Sequence, residues 1–186
     1  MKWRFLAVLA YINMEFVQID KANLDTAREI ENTIFPHYDA LNNYLDSLIN
    51  PKKSEYYLIK DNDVFIGIIG LYSYDAYPDD AWLGWFGLLE EYRGKGYGRK
   101  ALEFFEELAK NRGFRFARLF TDTLNNDKTR NFYKHLGFFE ERYINFNDPA
   151  SLKYPISIFS KSLYDERCPH WNNRDIHFTK QVHKQQ

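Results

Sequence analysis

Cysteine is almost missing: Cys168 is the only one among 186 residues, so no intrachain disulfide can form. A lone thiol suits a reducing cytoplasm, and the chain is expected there. No segment reaches the roughly 20 apolar residues that a bilayer-spanning helix needs. The run Phe5-Leu6-Ala7-Val8-Leu9-Ala10-Tyr11-Ile12 follows Lys2 and Arg4 in the outline of a signal peptide, but no small-x-small cleavage site comes after it. It reads instead as an extra strand or cap, or as an extension (residues 1–13) upstream of a domain that begins near Met14. Charge of one sign is lacking too: 25 Lys+Arg stand against 26 Asp+Glu, a net charge of -1. That balance argues against gripping nucleic acid or an anionic membrane by charge alone, and neither is expected as a partner. Repeats, low-complexity tracts and Gly/Ser linkers are all absent, which points to one domain.

What the chain does have is ordinary globular composition and many aromatics. Hydrophobic residues make up 45% and charged residues 27%, which excludes a disordered or collagen-like chain. The 16 Phe, 14 Tyr and 4 Trp can fill a core or line a pocket with flat walls. Alternation over Glu15–Ile19 predicts a strand. Helical spacing of Leu24, Ala27, Ile30 and Ile34 predicts a helix over 20–35, stopped by Pro36. A second helix is expected over 38–49. Strands follow over 55–59, 64–72 and 81–89, the first two joined by the turn residues Asp61-Asn62-Asp63. An amphipathic helix with the stripe Ala101, Leu102, Phe105, Leu108 and Ala109 ends at Gly113. A strand over 114–123, a helix over 126–136, and strands over 138–146 and 156–163 complete a domain ending at 164. Residues 165–186 are polar and read as a loose tail. The order β-α-α-β-β-β-α-β-α-β-β predicts α+β architecture with a mixed sheet.

The most informative segment is Arg93-Gly94-Lys95-Gly96-Tyr97-Gly98-Arg99-Lys100, between a strand and a helix. Glycines permit a tight turn in which successive N–H groups converge on one anion. The helix start adds free N–H groups and a positive dipole end, and four cations surround the spot. The chemistry is that of a phosphate or pyrophosphate site. A P-loop is excluded because no Gly-x-x-x-x-Gly-Lys-Ser/Thr run exists. The dinucleotide fingerprint is excluded because the third glycine comes one residue early and the loop lies mid-chain.

Leu88-Leu89-Glu90-Glu91-Tyr92-Arg93-Gly94-Lys95-Gly96-Tyr97-Gly98 resembles the Arg/Gln-x-x-Gly-x-Gly/Ala coenzyme A signature of the GNAT superfamily of N-acetyltransferases. Asn126 and Phe132-Tyr133-Lys134-His135-Leu136-Gly137-Phe138 are similar to that family's Asn-x-x-Ala-x-x-x-Tyr-x-x-x-Gly-Phe segment, with Thr129 in place of the usual Ala. The likeness covers roughly 14–163. It implies a mixed, mostly antiparallel sheet flanked by helices, its central strands splayed at a V-shaped cofactor cleft, and acetyl-CoA as cosubstrate. It also implies that pantetheine pairs with backbone around Gly87 and Leu88. The pyrophosphate would sit on the loop of Arg93, Gly94, Gly96, Gly98 and Arg99, with Asn126 on the other side. Tyr133 would stand by the sulfur as the acid for the departing thiolate, and a backbone N–H near Leu88 would meet the oxyanion.

The expected activity is acetyl transfer to a primary amine of a small molecule or peptide by direct attack on the thioester. The alternative is a non-catalytic acyl-CoA-binding sensor or regulatory module. The family often places a glutamate in the strand before the glycine loop, but Ala81-Trp82-Leu83-Gly84-Trp85-Phe86-Gly87 has no carboxylate. Asp79, Asp80, Glu29, Glu31 or a water chain remain as bases. Trp82 and Trp85 differ in parity and are expected on opposite faces. One of them, with Tyr72, Tyr74 and Tyr77, is a candidate for the acceptor pocket, whose acids and aromatics would suit a cationic amine. Cys168, His170, His177 and His183 match no closed zinc site, so no metal is expected. The chain is expected to act as a monomer or homodimer.

Overall fold

The computed structural model describes residues 13–144 and 155–174. Five segments build the first half: β1 (Met14–Gln18), α1 (Leu24–Ile34), α2 (Leu41–Ile49), β2 (Ser54–Asp61) and β3 (Val64–Tyr72). Next come β4 (Asp80–Leu88), a 3-10 turn over Glu90–Tyr92, and α3 (Tyr97–Asn111). β5 (Phe116–Asp122), α4 (Asp127–His135), β6 (Phe139–Tyr143) and β7 (Ile156–Ser162) finish the domain. The element order is the expected one, with ends that differ by a few residues. Part of the expected 138–146 strand lies outside the described residues, as do residues 1–12 and the histidines His177 and His183.

The strands form a seven-stranded sheet in the order β1-β2-β3-β4-β5-β7-β6, antiparallel except for β4 beside β5. Strand alternation sends side chains to two faces. On one face Ile59, Ile69, Leu71, Ala81, Leu83, Ala117, Leu119 and Phe159 pack under α3 and α4, against Leu102, Phe105 and Tyr133. On the other, Ile19, Tyr56, Leu58 and Ile68 pack under α1 and α2 with Ala27, Ala40 and Tyr44. This second face is covered by helices only over its β1–β4 half.

Beyond β4 its cover comes from the chain's end. Residues 165–174 were expected to be loose, yet Trp171 is fully buried against Trp82 (ring centroids 5.0 Å apart), Tyr77, Tyr143 and Ile158. A large aromatic buries 150–250 Å², and this one anchors the segment that lacks any periodic pattern. Its backbone N–H donates to Glu141 Oε2 at 2.7 Å and its indole N–H to the Arg174 carbonyl at 2.7 Å. Beneath it the buried Arg118 guanidinium donates to Asp80 Oδ1 (3.0 Å), Ser160 Oγ (2.6 Å) and the Pro169 carbonyl (2.9 Å). Cys168 lies in this strap beside Pro169.

Trp171→Ala leaves a cavity and frees the strap, so unfolding by urea should show a loss of about 3–5 kcal/mol. A loss under 1 kcal/mol would mean that the strap adds nothing to the fold.

Candidate functional site

β4 and β5 are joined over only three register pairs: Asp80–Phe116, Ala81–Ala117 and Trp82–Arg118. Past that point β4 runs on to Leu88 and β5 to Asp122 with no ladder between them, so the sheet is split there. The other edge of β4 stays paired to β3, but irregularly. Ile68 stands opposite Gly87 and Gly70 opposite Gly84, so one side holds an extra residue. The irregularity coincides with Trp85, whose φ is 45°. A left-handed conformation costs a non-glycine residue on the order of 1–2 kcal/mol. Packing holds it: the Trp85 indole N–H donates to Asn43 Oδ1 at 3.2 Å, and its ring meets Phe35 and Tyr38 edge-on.

The bulge corrects the parity argument for the two tryptophans. Trp82 lies opposite Tyr72, on the face of Ile68 and Gly70, and Trp85 packs with the cluster that contains Ile68. Both therefore face the α1/α2 side. Trp85 lies toward the split; Trp82, Tyr72, Tyr74 and Tyr77 form a cluster with Trp171 at the joined end. The extra bulge residue reversed the alternation between the two rings.

At the tip of the split, Gly67 and Leu88 are opposed and the Leu89 N–H donates to the Ile66 carbonyl at 2.9 Å. In an antiparallel ladder this makes Gly67–Leu88 a pair whose own N–H and C=O groups point away from each other. The Leu88 N–H thus faces the split. Its carbonyl accepts from Arg93 Nε at 2.8 Å. The chain then turns through Gly94 (φ 73°) and Gly96 (φ 92°), which open α3 without any side-chain cap. Among the described residues, the backbone N–H groups of 94–99 have no acceptor. A Cβ at Gly94 would meet no atom within 4 Å, so the space in front of this part of the loop is open. Gly98 has a different reason: a Cβ there would lie 3.1 Å from Phe132 of α4. Lys95 rests over the Tyr92 ring, 5.9 Å from its centroid, and Arg99 is exposed. Loop amides open to solvent, a helix N-terminus and nearby cations fit a diphosphate.

Asn126 precedes α4 without a side-chain capping bond and is tied to β5, its amide N–H donating to Thr121 Oγ1 at 2.7 Å and to the Asp122 carbonyl. Tyr133 projects from α4 into the core beside Phe132, Phe138 and Phe159. Its hydroxyl has no protein partner among the described residues, and burial pushes its pKa well above the ordinary tyrosine value.

The four named carboxylates fare unevenly. Asp79 and Asp80 lie at the joined end, where Arg115 is 3.7 Å from Asp79 and Arg118 and Arg174 flank Asp80. They are therefore remote from Leu88 along the strand, and neither borders the open split. Glu29 is exposed. Glu31 is 1% exposed, accepts from the Ala40 N–H at 3.0 Å, and is pushed up to about 7, chiefly by burial. Among the described residues no three of His, Cys, Asp and Glu are grouped to hold a metal, and no helix is long and apolar enough to cross a membrane.

Comparison with known proteins agrees with this geometry. The chain belongs to the Acetyltransferase (GNAT) family, whose model matches residues 20–138. No curated protein sequence matches it. Among solved structures, a GNAT family acetyltransferase from Elizabethkingia anophelis with acetyl-CoA bound is similar at TM-score 0.64 and 17% identity, over 81% of this chain and 98% of that one. The ribosomal-protein-S18-alanine N-acetyltransferase of Escherichia coli is similar at TM-score 0.62 and 16% identity, over 83% and 96%. A spermidine N-acetyltransferase SpeG chimera from Vibrio cholerae and hSSAT is similar at 0.65 and 15%, over 81% and 95%. At these identities the likeness is one of fold.

Glu31 gives a pH test. Its folded pKa, about 7, lies above the ordinary 4.5, so the folded chain holds the proton more tightly than the unfolded chain. The stabilisation is complete below about pH 4.5 and disappears as pH rises through 7. Wild-type protein should lose roughly 1–3 kcal/mol between pH 5 and pH 8 relative to Glu31→Gln. Parallel denaturation midpoints for the two proteins across that range would refute the shift.

Proposed function

We propose that the chain is an acetyl-CoA-dependent N-acetyltransferase acting on a primary amine of a small molecule or peptide. The observation that carries this reading is the row of unpartnered amides at 94–99, set at the mouth of the split between β4 and β5. In the free protein these donors are open to water, and a cofactor diphosphate offers them a charged acceptor in its place. Leu88 and the loop of Arg93, Gly94, Gly96, Gly98 and Arg99 are the proposed contacts, with Asn126 on the far wall.

Acetyl-CoA supplies an activated acetyl group, and the chain supplies position and proton traffic. The Leu88 N–H, aimed into the split, is placed to donate to the oxygen on which negative charge develops. The Tyr133 phenol stays protonated at neutral pH, so it is suited to give a proton to the departing sulfur. No metal is required. The aromatics Trp85 and Tyr38 on the α1/α2 side of the split favour an acceptor that is cationic before it reacts.

Isothermal calorimetry with acetyl-CoA and coenzyme A tests the binding half. Gly96→Val, which forces a β-branched residue into a left-handed turn, should weaken binding by tenfold or more. Tyr133→Phe should leave binding intact and cut kcat by about 10–100-fold in a thiol-release assay. An unchanged kcat would remove Tyr133 from the reaction. Tight binding without transfer to any amine would favour the non-catalytic sensor.

A further inference from the structure

Attack on the acetyl group needs an uncharged nitrogen, so an ammonium acceptor must first lose a proton, and none of the residues given a role above takes it. The two strands that bound the split carry only two carboxylates, Asp80 and Asp122. Asp80 is enclosed at the joined end between Arg118 and Arg174. Asp122 is at the other end of β5 and is exposed, and no ion pair or side-chain hydrogen bond occupies its carboxylate among the described residues.

Register fixes which way Asp122 faces. Ala117 and Leu119 belong to the core under α3 and α4, so Phe116, Arg118, Phe120 and Asp122 face the opposite side. Pairing with β7 runs unbroken from Phe116–Ser162 to Asp122–Ile156, and no bulge reverses the alternation. Its level follows by extending the count beyond the last β4–β5 pair, where the ladder has ended. Counted from the Trp82–Arg118 pair, Asp122 stands across the split from Phe86 or, allowing for the bulge residue, Gly87. That is one or two residues from the Leu88 N–H. On the same face, Phe120 is 38% exposed and Tyr38 is 51% exposed, and Trp85 packs against Tyr38. Tyr133 belongs to the core on the other face.

We propose that Asp122 is the residue that receives the acceptor amine: its carboxylate pairs with the ammonium and takes its proton as the nitrogen attacks. This rests on the transferase reading given above. An ammonium that passes between the aromatic pair Trp85 and Tyr38 on β4's side and Phe120 on β5 loses part of its hydration and holds its proton less tightly, which eases transfer to a carboxylate. The nitrogen gives its first proton to Asp122 and forms the C–N bond with the lone pair this releases. The C–S bond breaks and its electron pair leaves on sulfur, which takes the Tyr133 proton. The nitrogen then gives its second proton to water. Asp122 discharges to solvent and Tyr133 regains a proton from it, so one proton is released per turnover. The acceptor class this selects is a cationic primary amine; an amine carrying a carboxylate beside it would be repelled.

The test uses the full chain, acetyl-CoA, and as acceptors spermidine, ethylamine and a tripeptide with a free N-terminus. Asp122→Asn should lower kcat/KM for the accepted amine by about 100–1,000-fold while leaving acetyl-CoA affinity unchanged. The deficit should shrink as pH is raised toward the pKa of the amine, about 10 for a Lys-like group, where the acceptor arrives already neutral. Asp122→Glu should recover part of the rate. Because Asp122 is exposed, its variants should keep the wild-type melting temperature. Wild-type rates and pH profile in Asp122→Asn overturn the proposal and leave the transferase reading standing, as does a loss confined to Glu31→Gln. Acetyl-CoA binding by wild-type protein with transfer to none of the amines overturns it too. Failure of the wild-type protein to bind acetyl-CoA overturns the transferase reading itself.

Discussion

A parallel strand pair is satisfied only while its ladder lasts, and in this chain the ladder between β4 and β5 ends at Trp82–Arg118. Everything at the site follows from that interruption. Two strands that continue past the end of their pairing expose a run of peptide groups, and such groups need partners. Water can supply them, but so can the amides of an extended substrate arm lying in the gap. The split makes the middle of a sheet, normally the driest and most rigid part of a domain, into a polar slot with prearranged geometry.

The slot stays open because its two ends are held differently. At the joined end the buried Arg118 links β4, β5, β7 and the C-terminal strap through Asp80, Ser160 and Pro169, under Trp171. Burying a charge is expensive unless it is paired and hydrogen-bonded, and here three bonds that fasten strands at one point offset part of the cost, while Arg118 Nη2 is left without a partner among the described residues. At the open end nothing crosses from β4 to β5. Instead the Trp85 bulge and the contact of Ile34 and Phe35 with the backbone at Gly87 set the course of β4. A pinned end and an independently braced free end produce a wedge.

Much of this was legible in the residues. Periodicity was enough for the order of elements, and the Gly94–Gly98 spacing was enough for a glycine turn at a helix start, because both rest on local chemistry. The parts that escaped depend on pairing between distant segments. Trp85 and Trp82 differ in parity by count, and only a bulge, which no turn residue announces, places them on one face. Residues 165–174 have no period, so their burial depends on a single tryptophan finding a site lined by Tyr77, Trp82 and Ile158. Asp80 looked like an available acid because its partner Arg118 is far away in sequence. Asp122 sat inside a correctly expected strand, but its level and face become meaningful only through the β4–β5 and β5–β7 registers.

A wedge with different groups on its two faces also bears on how a chain can do without a carboxylate in β4. The two proton transfers in the proposed reaction run in opposite directions, one away from nitrogen and one toward sulfur. Groups that serve them should not neutralise each other. Here the phenol comes from α4 on one side of the sheet, and the carboxylate would come from β5 on the other, so the split itself separates them. With Trp85 and the glycines flanking it, β4 contributes an apolar wall that desolvates the incoming ammonium rather than a base that binds it. Asp122 is then the nearest strand position that can hold a negative charge without burying it, since the end of β5 is the last point before the chain turns away into α4. At 122 the carboxylate keeps contact with solvent, through which the captured proton can leave.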